Sequence, residues 1–361
     1  MKRLMKITAA GIFVLFLTAT LLPTAFGADW PGKKPISVVI QYKAGGGTDV
    51  MTRAYAMPME ATLKTTINAM NRPGALGALA MDFVNQKPSD GYWWIGGANF
   101  SKQLRVMGHT KLNWMNDWQY FKAANSIQGF AVKADSPFKT MKDFLDAAKK
   151  DPGKYSISNS GVGGLWAEGI TILEQEAGIK VRQIPYKGGA PAALACLQGE
   201  VDVTGSGIHE TIEFIRAGKL RNLAVFTKEA ITLKDGTVLK PIGDFVPPMA
   251  AYAPFGGYYT LGVKRDTPKP ILQKIADAFV KACNSPEFNA LLEKKFFYKD
   301  VLIGEAADKA AARAESTTAW LLWDLKVEGV KVNPADLGIP KPGDFDKWWP
   351  PKGYKPLLPG K

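Results

Sequence analysis

The sequence predicts an α/β protein of two domains, with mostly parallel sheets flanked by helices. Three observations carry this. Short apolar runs of strand length alternate with amphipathic runs of helix length through the middle of the chain, and such alternation implies parallel strands joined by right-handed crossovers. The 361 residues are enough for two cores of ordinary size. Two glycine-rich stretches, at 45–47 and 161–164, each stand between a strand and a helix, the place where open α/β sheets put their ligands.

The first 27 residues are set apart. Lys2, Arg3 and Lys6 precede an apolar run from Ala9 to about Leu22, and Ala25-Phe26-Gly27 supplies small residues for cleavage. That is the pattern of a secretory signal peptide, 1–27. Thr18, Thr20 and Pro23 interrupt the run and argue against a membrane anchor. No later segment is apolar for long enough to span a bilayer, so a soluble, exported protein is expected.

After the cut, "ISVVI" (36–40) is apolar at nearly every position, as in a strand covered on both faces. "TDVMTRAYAM" follows with Val50, Ala54 and Met57 at helical spacing, with Thr48 or Asp49 expected to cap it. "GYWWIGG" (91–97) and "GFAVKA" (129–134) read as strands. "TMKDFLDAAKK" reads as a helix with Thr140 and Asp143 in a capping box. The series continues with strand "KYSISNS", helix "LWAEGITILEQEAGI" stopped by Gly178, strand "VRQIPY", and helix "APAALACLQG" with Pro191 in its first turn. Strand "EVDVTGS", helix "ETIEFIRAG" and strand "NLAVFT" complete it. Two late helices are separated by Asn284-Ser285-Pro286, and a long one runs from about Ala306 to Val327. Residues 331–361, rich in Pro, Lys and Trp, read as an extended tail with Trp348 and Trp349 pinned to the body.

Net charge is +13, falling to +10 without the three leader cations. There is no run of five basic residues and no nucleic-acid signature, so anionic small molecules are the expected partners of this surplus. Cys196 and Cys283 both lie in apolar helix-like runs and read as buried free thiols, although an exported protein can form disulfides.

Enzyme chemistry finds little support. His109 and His209 stand alone, outside any metal spacing, and read as solvated loop residues. "TGSGIH" lacks the first glycine of a nucleophile elbow, because Thr204 stands there. Glu174 and Glu176 read as a charged helix face. No lysine follows Gly45–Gly47 as a Walker loop requires, and "GVGGLW" puts Trp166 where a dinucleotide fingerprint needs glycine. No metal or cofactor is expected.

What remains is the topology of the two glycine loops. A helix N-terminus offers unpaired N–H donors and a partial positive charge. Two such loops facing each other across a cleft suit one carboxylate. Glycines let the backbone approach closely, and Thr48, Ser158 and Ser160 are the expected hydroxyl donors.

The chain resembles the periplasmic solute-binding proteins of tripartite tricarboxylate transporters, the Bug receptors. The matching segments, in the family's order, are "WPGKKPISVVI", "AGGGTDVMTRA", "NRPGALGALAMDFV", "PSDGYWW", "FKTMKDFLDAAKKDPGKYSISNSGVGG", "EAGIKVRQIPYKGGAPAALACLQGEVDV", "IRAGKLRNLAVFT" and "TPKPILQKIADAFVKACNSPEF". They span roughly residues 30–290. The resemblance implies a two-lobed periplasmic-binding-protein-like fold that closes on its ligand. Lobe 1 is expected from 28–130 plus 253–330 and lobe 2 from 131–252, with Val132 and the segment around Tyr252–Gly257 as hinge candidates. It implies a carboxylate cradle at Ala44, Gly45, Gly46, Gly47, Thr48 and Asp49, facing Ser158, Ser160, Gly161, Val162 and Gly163. Tyr42, Trp166, Tyr186 and Ser206 complete the expected ligand-binding set. Many relatives carry a histidine where this chain has Ala167, and polar or acidic residues where it has "TGSG". The far end of the pocket is therefore expected to differ, with Trp166, Trp93 and Trp94 as candidates to line it for an aromatic or longer apolar acid.

The expected function is capture of a di-/tricarboxylate or aromatic acid by a periplasmic, non-catalytic, monomeric receptor that delivers it to integral membrane transporter subunits. A sensor of the same fold and an exported hydrolase are the alternatives. Gly46→Val and Gly161→Val are expected to abolish binding and leave the fold intact.

Overall fold

The structure, a computed structural model, describes residues 29–359; the expected signal peptide lies outside the described residues. The chain begins with β1 (Ile36–Ile40), whose Val38, Val39 and Ile40 are fully buried, and turns into α1 (Gly47–Leu63). Gly46, not Thr48 or Asp49, takes the cap position of α1. Asp49 lies one turn inside and reaches back, its carboxylate accepting from Gly45 N–H at 3.0 Å. β2 (Ile67–Asn71), α2 (Ala78–Asn85), β3 (Trp93–Ala98) and β4 (Trp118–Asn125) follow.

The predicted alternating series then appears: β5 (Gln128–Lys133), α3 (Met141–Lys150), β6 (Ser156–Asn159), α4 (Leu165–Ala177), β7 (Arg182–Pro185), α5 (Gly189–Gln198), β8 (Val203–Gly207), α6 (Ile208–Arg216) and β9 (Leu220–Val225). The Thr140 capping box forms as expected, and Gly178 and Gly199 end their helices in the left-handed region. A short hairpin, β10 (Ile231–Thr232) and β11 (Val238–Leu239), precedes β12 (Tyr258–Lys264), α7 (Lys269–Cys283), α8 (Pro286–Lys295), β13 (Tyr298–Leu302), α9 (Gly304–Asp324) and a single turn, α10 (Phe345–Trp348).

Two sheets result, ordered β13-β4-β12-β3-β1-β2 and β7-β6-β8-β5-β9. They are mixed, which corrects the expectation of mostly parallel sheets. β1 runs parallel to β2 and β3, and β6 to β7 and β8; the remaining pairs are antiparallel. The reason is connectivity. β4 runs on into β5 of the other sheet, and β12 returns from it, so no crossover helix dictates the direction of these strands.

The chain passes between the sheets twice, at Ser126–Ile127 and at Pro254–Gly257, and the two passages lie side by side. Ser126 N–H donates to Gly257 O at 2.7 Å, Gly257 N–H to Ser126 Oγ at 3.1 Å, and Gln128 N–H to Phe255 O at 3.0 Å. A Cβ on Gly256 would overlap the Ser126 carbonyl, so glycine is required there. Val132 is not at a passage: it is fully buried inside β5.

Along its described length, the tail is bound to the body at several points. Lys331 and Val332 N–H both donate to Val106 O, at 2.8 and 3.0 Å. Phe345 is fully buried in the cluster of Trp114, Trp118 and Tyr120, and Trp349 lies 5.0 Å from the Tyr354 ring. The Tyr354 hydroxyl donates to Asp308 at 2.9 Å, and Leu358 enters the core that also holds Trp30, Ile36 and Phe279. Short 3-10 turns with prolines in their first turn replace the extended chain expected here. Cys196 and Cys283 are unpaired and buried on α5 and α7, and burial pushes the Cys196 thiol up to about 12.

Candidate functional site

Three helices point their N-termini into one cavity between the two sheets. They are α1, α4 and α5, and their cap residues are Gly46, Gly164 and Gly188. A glycine has no side chain with which to satisfy the first-turn amides, and none of the three starts has a side-chain cap. Each therefore presents free N–H groups and the positive end of a helix dipole. The cavity has a volume of about 40 Å³. That is room on the order of three waters, or one carboxylate with a short stem.

Six of the expected residues line it: Tyr42, Gly46, Gly47 and Thr48 from the first loop, and Ser160 and Trp166 from the second. Burial pushes the Tyr42 phenol up to about 12, so it stays neutral, and it donates to Leu76 O at 3.3 Å. Gly47 has to be glycine, because a Cβ there would overlap His209 Nε2 and the Tyr259 hydroxyl.

The other nine are not in the lining. Ala44 and Gly45 sit on the exposed outer turn. Asp49 faces away, receiving Gly45 N–H, Asn71 Nδ2 and Arg53 Nε. Burial raises its carboxyl, but these donors outweigh burial and hold it below the usual carboxylate range. Ser158 Oγ donates to Ala192 O at 2.8 Å and Ser206 Oγ to Gly189 O at 3.2 Å. Both hydroxyls are buried and hold the first turn of α5, rather than facing the cavity. Gly161 and Tyr186 line a neighbouring hollow of about 260 Å³ beside Leu76. The Val162 side chain is exposed, and Gly163 has Met107 against it. Trp94 is core, its Nε1 donating to Gly91 O, and Trp93 packs against Phe83.

Sequence reasoning missed the third helix start. Lys187, Gly188, Gly189 and Pro191 line the cavity, and Glu210 reaches it from α6. The signal was available: "RQIPYKGGAP" repeats the strand–glycine–helix order of the other two loops. His209 corrects a second expectation. It is buried on α6, its Nε2 lying 3.1 Å from the Tyr259 hydroxyl and its ring 4.5 Å from that of Phe297. Asn99, Gly257 and Tyr259 close the cavity from the side of the first sheet. Among the described residues no cluster of side chains suits a metal, and no helix is long and apolar enough to cross a membrane.

Two α/β units joined by paired strand passages, with glycine-capped helix starts converging between them, define a two-lobed solute-binding protein. Residues 51–319 match the tripartite tricarboxylate transporter family receptor profile, and the chain belongs to that family. It is a family of receptors, not of enzymes. The chain is 31% identical over 290 residues to the Cupriavidus necator "UPF0065 protein in gbd 5'region", covering 79% of this chain and 85% of that protein. A TctC solute binding protein from Polaromonas superposes with a TM-score of 0.60 at 27% identity, covering 82% of this chain and 99% of its own. R. palustris Rpa4515 with adipate shares the fold at 20% identity, with a TM-score of 0.73 and coverage of 83% and 99%.

Proposed function

We propose that the protein is a periplasmic receptor that holds an organic acid anion between its lobes and delivers it to the membrane subunits of a tripartite transporter. The observation that carries this is the meeting of three glycine-capped helix N-termini in one cavity. Unsatisfied amides at dipole ends favour an anion, and the exposed Lys43 and Lys187 at the rim add charge of the same sign. Membership in a receptor family and the adipate held by the R. palustris protein agree with this reading.

The cradle residues in this reading are Gly46, Gly47, Thr48, Ser160, Trp166 and Gly189. Ser126–Ile127 and Pro254–Gly257 are the hinge, so the lobes divide at 126 rather than 131, and the tail belongs to lobe 1. Ligand contacts from both lobes favour the closed form. Residues 1–27 direct export and are then removed, and the mature chain acts as a monomer. The cavity's size favours a short acid over the aromatic one that the tryptophans suggested.

Native mass spectrometry of freshly purified protein, followed by a thermal-shift panel of mono-, di-, tri- and aromatic carboxylates, tests the reading. A cognate acid at about 100 times its Kd raises stability by about 2.7 kcal/mol. A clear sugar or cation response with no carboxylate response would overturn it.

A further inference from the structure

A carboxylate in the wall of an anion site works against the site's main task, yet Glu210 stands there. Its side chain is 5% exposed. One oxygen is committed: Oε2 accepts from Gly207 N–H at 2.9 Å and closes the first turn of α6. The other, Oε1, has no hydrogen-bond donor among the described residues. His209 Nε2 is 3.6 Å from it, and that nitrogen is engaged with the Tyr259 hydroxyl at 3.1 Å. Capping alone does not require the charge, since a neutral amide oxygen would accept the same N–H.

An acceptor that opens into the cavity with no protein donor takes its hydrogen bond from water or from the ligand. The Glu210 carboxylate lies against Gly189 at the start of α5, while the starts of α1 and α4 present backbone donors elsewhere in the lining. The cavity thus has two chemically distinct parts within a space of about 40 Å³. Resting on the carboxylate reading above, we infer that the cleft selects short acids that carry an N–H or O–H donor beside the carboxylate, and that Glu210 Oε1 reads that donor. His209 and Tyr259 are positioning residues behind it. A Cβ on Gly189 would overlap the Glu210 carboxylate, so Gly189 is the residue that leaves room for this arrangement.

The test is calorimetric titration of the purified protein with matched triplets: propionate, lactate and alanine; succinate, malate and aspartate; glutarate, 2-hydroxyglutarate and glutamate. In at least one triplet the hydroxy or amino member binds tighter than the plain acid by about tenfold or more. The arm that wins identifies a hydroxyl or an ammonium as the donor. In Glu210→Gln the preference falls to about threefold or less. The melting temperature without ligand is unchanged, because the amide keeps the Gly207 bond. Plain acids binding as tightly as their partners in every triplet, or a preference retained in Glu210→Gln, would overturn the inference and leave the carboxylate reading standing. No binding by any acid would overturn both.

Discussion

The Lys102 ammonium lies 3.3 Å from Glu168 Oε2, and both side chains are almost excluded from water, at 6% and 2% exposure. The pair joins the segment after β3 to the first turn of α4, and so ties one sheet's unit to the other. Glu168 Oε1 also accepts from Thr318 Oγ1 on α9 at 3.2 Å.

Removing one partner of this pair leaves a buried charge alone. Lys102→Met is therefore expected to destabilise the fold by about 3–5 kcal/mol, while Lys102→Met combined with Glu168→Leu costs much less. Urea denaturation of the two single variants and the double variant measures this. A loss in the double variant equal to the sum of the two single losses would show that the pair is not coupled.

Gly46 and Gly47 are neighbours with opposite tolerance. A Cβ on Gly46 meets only Lys43 O, at 3.5 Å, whereas one on Gly47 overlaps His209 and Tyr259. Gly47→Ala is expected to cost about 1–3 kcal/mol by overpacking and to abolish ligand-induced stabilisation. Gly46→Ala keeps the wild-type melting temperature. Gly161, at φ +122, is strained by any side chain, so Gly161→Val is expected to disturb its loop as well as the site. Thermal melts with and without ligand separate these outcomes.

Asp49 ties the glycine turn to α1 through Gly45 N–H. Its carboxyl titrates lower in the folded protein than in the unfolded chain, despite burial. Its contribution is thus fully present above the unfolded value of about 3.9 and is lost as pH falls through the folded value. Asp49→Asn is expected to be less stable than wild type at pH 7, with the gap narrowing below about pH 4. Denaturation midpoints at pH 7, 4 and 3 check this, and a gap constant with pH would exclude the charge as its cause.

Phe345 anchors the tail among Trp114, Trp118 and Tyr120. Phe345→Ala is expected to cost about 3–5 kcal/mol. Truncation after residue 330 should cost at least as much, since it also removes Leu358, the Tyr354–Asp308 bond and the Arg313–Asp346 pair. Calorimetric melting of both variants tests this. A wild-type melting temperature on truncation would make the tail a passive appendage.

Much of the second sheet was legible because its strands and helices keep their own periods and caps. Thr140–Asp143 and Gly178 behave as their chemistry dictates. β4 was not legible, because Gln119 and Lys122 interrupt its apolar run. Both are buried, Gln119 bonded to Asp308 and Lys122 paired with Asp300 over the Tyr258 ring. Those partners lie more than a hundred residues away, beyond any local window. The same holds for His209, whose surroundings come from Tyr259 and Phe297. Ser158 and Ser206 show the converse error: correct loops, but hydroxyls already spoken for by the backbone of α5.

Trp30 and Leu358 lie in one core, with nearly the whole chain between them. The second sheet, by contrast, is made from one continuous stretch between the two passages. The two halves of the molecule therefore have different schedules of assembly. The continuous half has all its strands once residue 225 is in place. The other needs both ends of the polypeptide and closes only when the last residues arrive. A chain cut short in synthesis would display one finished half beside an open one, with the aromatic cluster around Trp114 exposed to proteases.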